Sequence, residues 1–146
     1  MPDDTSALNL ADDLGEICGL EEAKRWIIDH TAPLEILAKM SPQSQPQEIF
    51  QLRLLWVQYP ELPPSLKFRD PHTGSLSDPK AWPKLPGFRP ESLDACVTYC
   101  SEGMALHPEW RTDPKYKWDS KGNVLLKVLR WVQDEFDEHF SGRFGK

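Results

Sequence analysis

Cysteines are few in this sequence, and long apolar runs are missing altogether. The three cysteines, Cys18, Cys96 and Cys100, are an odd number without the spacing of a disulfide framework, which predicts reduced thiols. The longest apolar run, Leu54–Val57, is four residues, far short of the roughly 20 that a membrane-spanning helix needs. The composition therefore argues against a disulfide-stapled secreted domain and against spanning helices.

Basic residues are also outnumbered, because 17 Lys and Arg face 23 Asp and Glu for a formal net charge of -6. Binding to nucleic acid or to an anionic membrane needs Lys and Arg concentrated on one face, so we expect neither partner. The start of the chain, Met1-Pro2-Asp3-Asp4, does not have the basic and then apolar pattern of a signal or transit peptide. We expect a cytoplasmic protein.

The length of 146 residues, with 39% apolar and 27% charged residues, is typical of one globular domain. Residues 1–19 form an acidic segment that we expect to be frayed or weakly helical, and residues 20–146 form the domain. Within it, residues 70–122 show no regular pattern and contain recurring prolines. A long irregular stretch inside a compact domain is usually functional.

Two segments show the spacing of amphipathic helices. Leu20–His30 places its acids before its bases, as the helix dipole prefers, and Pro33 is expected to end that helix. The second helix runs from Asn123, a plausible N-cap, to about Phe140. Its apolar positions recur on one face: Leu125, Val128, Leu129, Val132, Phe136 and Phe140.

Between these helices the pattern predicts strands. Leu34–Met40 and Ser65–Arg69 are strand candidates, and Glu48–Gln58 alternates with its apolar side chains on one face. The rigid linker Tyr59-Pro60-Glu61-Leu62-Pro63-Pro64 precedes the last strand. The sequence therefore predicts an α+β fold: an antiparallel three- to four-stranded meander flanked by N- and C-terminal helices.

Several segments, taken in chain order, resemble a known family. They are Tyr59-Pro60-Glu61-Leu62-Pro63-Pro64-Ser65-Leu66-Lys67-Phe68, Phe68-Arg69-Asp70-Pro71, Trp82-Pro83, Cys96-Val97, Glu102 through His107-Pro108-Glu109, and Trp118 before the last helix. Over residues 34–140 this order resembles ubiquitin-conjugating enzymes, and more closely a bacterial branch of which some members are described as metal-binding. The resemblance implies that fold, a thioester on Cys96, and two partners: a ubiquitin-like protein and an adenylating activating enzyme.

One part of the family's motif is absent. The family has a His-Pro-Asn tripeptide before the cysteine, and its Asn stabilises the oxyanion, whereas the only asparagines here are Asn9 and Asn123. His72 is the nearest remnant of that tripeptide. We expect backbone N–H groups of the loop after Cys96 to replace the missing donor, and we expect Cys96 to be reachable from solvent.

Four residues are candidates for catalysis: Cys96, Cys100, Glu102 and His107. Cys96 aligns with the family's thioester cysteine, and Cys100 is the nucleophile if that alignment is shifted. His107 or Glu102 could act as a general base. The ordinary alternatives are a buried cysteine that acts as a small apolar residue, and a histidine that caps loop backbone.

Two other functions stay open. A catalytically silent binding or scaffold module on the same fold fits the missing Asn. A zinc site could use Cys96, Cys100 and His107, with His72, Glu102 or His139 as the fourth ligand. We expect neither stoichiometric metal nor a cofactor.

Overall fold

Four strands form one antiparallel sheet in chain order, with a long helix at each end of the chain. The computed structural model describes residues 4–145, so the first three residues of the predicted segment 1–19 lie outside the described residues. The helices and strands are α1 (Asp4–Cys18), β1 (Ile27–Ala32), β2 (Glu35–Met40), β3 (Phe50–Leu55), β4 (Ser65–Arg69), β5 (Phe88–Arg89), β6 (Asp94–Ala95), α2 (Ser101–Leu106) and α3 (Val124–His139).

The predicted meander is confirmed. The sheet order is β1-β2-β3-β4, and the predicted strands over 34–40, 48–58 and 65–69 correspond to β2, β3 and β4. Leu52 pairs with Ala38 on one side and with Phe68 on the other, and all three side chains are fully buried. The predicted alternation therefore gives the sheet one core face, as period-two patterning requires.

The predicted helix over Leu20–His30 is wrong. A short 3-10 helix covers Glu21–Arg25, and β1 begins at Ile27. The β-branched Ile27 and Ile28 favour an extended backbone, and pairing with β2 gives that backbone its hydrogen bonds. Pro33 lies in the turn between β1 and β2 and does not end a helix.

The predicted C-terminal helix is confirmed as α3. The Asn123 side chain accepts a hydrogen bond from Leu126 N at 3.0 Å, which is the expected N-cap. Five of the six predicted apolar residues, Leu125, Val128, Leu129, Val132 and Phe136, are fully buried, and Phe140 packs at the edge of the core. This face of α3 covers the sheet.

The segment before residue 19 is helical: α1 buries Leu10 and Ile17 completely. Tyr59 links it to the rest of the chain, because its hydroxyl donates to the Asp13 carboxylate and accepts from Leu125 N at 2.9 Å. Burial, followed by the hydrogen bond to Asp13, raises the pKa of Tyr59 far above its ordinary value. The linker tyrosine therefore joins α1 to the start of α3.

The stretch over residues 70–122 is mostly irregular but contains the β5–β6 hairpin and α2. Trp82 is fully buried and its ring packs edge-on against Phe68 of β4, 5.7 Å away. This contact joins the loop to the sheet core. The architecture is thus α+β, with a four-stranded antiparallel sheet and flanking terminal helices, and no helix within residues 4–145 is long and apolar enough to cross a membrane.

Candidate active site

Cys96 directly follows β6 at the edge of the small hairpin. Its backbone N–H donates to the Gly87 carbonyl at 2.7 Å. Gly87 has φ +84, and a Cβ there would lie 2.8 Å from the Val97 side chain, so this position requires glycine. Cys96 is partly buried, so it is less enclosed than Cys100, which is buried.

Trp131 of α3 supports both sides of the Cys96 turn. Its ring stacks on Tyr99 at 5.0 Å and, at 6.2 Å, on Phe88 of β5. Trp131 lies at the edge of the buried face of α3, and its ring is occupied by these contacts. Aromatic stacking of this kind fixes a loop that has few backbone hydrogen bonds of its own.

Helix α2 packs against the backbone that follows Cys96. A Cβ on Gly103 would lie 2.2 Å from the Val97 carbonyl oxygen and 2.7 Å from its nitrogen. Only glycine allows this approach. The same residue accepts a hydrogen bond from His107 N at 3.0 Å, so the end of α2 is placed relative to Cys96.

His107 reaches the thiol from the end of α2. Its Nε2 lies 3.2 Å from Cys96 Sγ, and its Nδ1 lies 3.3 Å from Glu109 Oε1. The imidazole also stacks on Trp110, with the ring centroids 4.2 Å apart. The three side chains form a cysteine–histidine–glutamate arrangement at the surface, where the imidazole is 39% exposed.

This arrangement can move a proton. A hydrogen bond from Nδ1–H to Glu109 selects the tautomer that leaves Nε2 as an acceptor facing the thiol. A thiol beside such a base can give up its proton as the sulfur attacks a carbonyl carbon. Glu109 is exposed, so its ion pair with His107 orients the ring more than it stabilises the fold.

A cation also lies near Cys96, although none occurs within four residues of it in the sequence. The Arg89 guanidinium binds the Asp94 carboxylate through two hydrogen bonds of 2.8 Å. The pKa of Arg89 is raised, first by its hydrogen bond to Asp94 and in smaller part by the nearby Cys96. The negative charge of Asp94 alone would disfavour a thiolate at Cys96. Arg89, on the other strand of the hairpin, balances that charge.

Cys100 and Glu102 lie apart from the Cys96–His107 pair. Cys100 is fully buried, and burial, with Glu102 adding to it, raises the pKa of its thiol to about 11. The Glu102 carboxylate accepts hydrogen bonds from Ser65 and Ser101, both at 2.7 Å. Cys100 is thus a poor nucleophile, and Glu102 joins α2 to the start of β4.

The ligands considered for zinc do not come together. Among residues 4–145 no group of three His, Cys, Asp or Glu side chains could hold a metal ion. Of the predicted set, Cys96 and His107 are in contact, whereas Cys100 lies in the core. His72 lies in an exposed turn that is closed by the Asp70 carboxylate. A closed zinc site needs four ligands, so the arrangement does not fit one.

Three residues of the site were not predicted from the sequence: Glu109, Arg89 and Trp131. Glu109 could have been found, because it lies two residues after a candidate histidine in the quoted His107-Pro108-Glu109 segment. Arg89 and Trp131 carry no local signal, since each reaches Cys96 or its turn through tertiary structure.

No protein-family model matches the chain, and no curated protein or solved structure shows significant similarity to it. Assignment of a function therefore depends on the residues and the geometry above.

Proposed function

We propose that this chain is a bacterial ubiquitin-conjugating-enzyme-like transferase that carries a ubiquitin-like protein as a thioester on Cys96. The observation that carries the proposal is the 3.2 Å contact between Cys96 Sγ and His107 Nε2 at a partly exposed position. The order of helix, four-stranded meander with the linker before its last strand, cysteine loop and helix is compatible with the family that the sequence resembles. The implied partners are an adenylating activating enzyme and a ubiquitin-like protein.

In the first step, Cys96 Sγ attacks the carbonyl carbon of the thioester on the activating enzyme. His107 Nε2 takes the thiol proton and then gives it to the thiolate of the activating enzyme as that sulfur leaves, so the imidazole is neutral again before the second step. In the second step an acceptor amine attacks the Cys96 thioester, His107 takes a proton from the amine, and Cys96 leaves as thiolate. Glu109 holds the imidazole in the tautomer that both steps need.

Because the Asn of the family's tripeptide is missing, other hydrogen-bond donors must stabilise the oxyanion that forms when the thioester carbonyl is attacked. The turn after Cys96 closes with Cys100 N–H donating to the Val97 carbonyl at 3.2 Å. Within residues 4–145, the N–H groups of the two central residues, Thr98 and Tyr99, donate to no backbone carbonyl. We assign the oxyanion to these two groups, because unpaired backbone N–H donors beside a nucleophile serve this role elsewhere.

A small peptide thioester tests the thiol chemistry without the protein partners. Incubation should add the acyl mass to Cys96, and a reducing thiol should remove it. The adduct should be absent in Cys96→Ala and present in Cys100→Ala. His107→Ala should slow its transfer to a free amine by roughly 100- to 10,000-fold, the usual contribution of a general base.

Two results would favour other functions. Adduct that is lost to water faster than to amine would indicate a thiol hydrolase, because the same base can activate water. No adduct on Cys96, from the small thioester or from an activating enzyme loaded with its ubiquitin-like protein, would favour a silent scaffold on the same fold.

A further inference from the structure

Three adjoining cavities surround Trp118, and we call them together the Trp118 surface. Their volumes are about 450, 240 and 420 Å³, and all three are lined by Lys117 and Trp118. The indole is fixed in place, since its N–H donates to the Pro60 carbonyl at 3.0 Å. Three concavities that share one fixed aromatic ring suit an extended occupant better than a compact one.

The largest cavity is mainly apolar. Leu62, Pro63 and Met104 line it together with Trp118, and Val57 at its edge is 81% exposed. A volume of about 450 Å³ can hold a large apolar side chain. An exposed apolar concavity of this kind commonly marks a binding site.

Two cations, Arg111 and Lys117, and one acid, Glu61, line this cavity in a protein that is acidic overall. Residues 111–127 contain five basic and two acidic residues, although the net charge of the chain is -6. Asp119 is paired with Lys127 at 3.2 Å, and the other acid, Asp113, accepts from the Lys115 backbone N–H at 2.9 Å. Within residues 4–145, the side chains of Arg111 and Lys117 form no ion pair or hydrogen bond, and both line the apolar cavity.

The second cavity brings this surface to the turn that follows Cys96. It is lined by Thr98 and Tyr99, the second and third residues after Cys96, and by Lys115 and Lys117. A chain that lies across the Trp118 surface therefore passes beside the Cys96 turn.

We propose that the Trp118 surface binds an extended acidic segment of a partner protein. One large apolar side chain of that segment fills the cavity beside Met104, and its carboxylates bind Arg111 and Lys117. Nucleic acid fits less well, because the walls of this cavity are mainly apolar and only two cations among the described residues 4–145 line it. The proposal goes beyond transfer chemistry and needs no reactive thiol.

The test uses the full chain carrying Cys96→Ala, so failure of the thiol chemistry cannot affect the result. The probe is a fluorescent blocked peptide of one leucine with three glutamates on each side, and the readout is anisotropy. We expect saturable binding that weakens with salt. Arg111→Glu with Lys117→Glu should weaken it at least about tenfold, which is about 1.4 kcal/mol. Lys24→Glu with Lys80→Glu, the same charge change elsewhere, should leave it within about twofold.

Other outcomes overturn the proposal. A peptide with serine in place of leucine that binds equally well would show that the cavity is not the anchor. Tighter binding of single-stranded oligothymidine than of the peptide would make the surface a nucleic-acid site. Absence of saturable binding, or equal loss in both double variants, would show that the surface does not bind acidic segments.

Discussion

In the sheet, side chains of β3 and β4 pack against the buried face of α3. The loop over residues 70–122 is instead held in its conformation by contacts of a few individual residues. Leu52, Phe68 and Leu129 are fully buried in the first region. In the second, Gly87 and Gly103 let backbones approach closely, and Trp131 holds the Cys96 turn by stacking. The sheet distributes its stability over many residues, while the geometry of the site depends on single positions. Single substitutions should therefore be able to disturb one region and spare the other.

The largest expected effect is on the sheet side. Leu129→Ala removes a fully buried side chain from α3 and should lower the free energy of unfolding by about 2–5 kcal/mol. Leu106→Ala makes the same chemical change in α2, where the side chain is 51% exposed, and should cost less than about 0.5 kcal/mol. Urea denaturation measures both, and equal losses would mean that the two regions do not differ in this way.

Gly103→Ala should act on the loop. The added methyl would overlap the Val97 carbonyl, so α2 or the Cys96 turn must shift, at a cost of about 1–3 kcal/mol. Gly15→Ala in α1 is the matched control, because nothing lies within 4 Å of its Cβ. It should stabilise the protein by about 0.5–1 kcal/mol through helix propensity.

A second measurement shows whether the displacement caused by Gly103→Ala is confined to α2 and the Cys96 turn. Alkylation of Cys96 by iodoacetamide should change rate in Gly103→Ala and stay unchanged in Gly15→Ala, while near-ultraviolet circular dichroism keeps the signal of the sheet core. Unchanged Cys96 alkylation in Gly103→Ala would show that α2 does not position the thiol.

The last comparison uses pH to test the burial of Cys100. Burial raises the pKa of Cys100 from 9.0 to about 11, so between these values the folded chain keeps a proton that the unfolded chain loses. The stabilisation is complete below about pH 9 and is lost as pH rises through about 11, with a slope of about 1.4 kcal/mol per pH unit. Tyr59, whose pKa is also raised by burial, adds to the pH dependence in every variant. In denaturation across that range, Cys100→Ala should therefore show a slope shallower by about 1.4 kcal/mol per pH unit than wild type and Cys18→Ala. Equal slopes in all three would contradict the burial of Cys100.

The parts of the fold that were predicted correctly are those with a local signal. Alternating side chains identified β3, and the cap at Asn123 identified the start of α3. Ile27–His30 was predicted as the end of a helix because its apolar spacing fits either structure, and only pairing with β2 decides for a strand.

The site shows the same limit. Cys96 and His107 could be named from the sequence, but their contact spans eleven positions and depends on α2 ending where it does. Nearness in sequence also suggested Cys100 and Glu102, which the first turn of α2 places away from the pair. Residue types near a cysteine can be read from a sequence, whereas the direction in which a short helix points them cannot.

Helix α3 contributes no atom to the cysteine–histidine–glutamate group, yet it contacts both the sheet and the loop that carries Cys96. Its buried face lies on the sheet, and from its edge Trp131 holds Phe88 on one flank of Cys96 and Tyr99 on the other. A change that displaces this helix would therefore also displace the Cys96 turn, and α2 with it, because Gly103 packs against the Val97 backbone. A sheet core repacked for heat resistance should therefore keep the reactivity of Cys96 only where it preserves the position of Trp131.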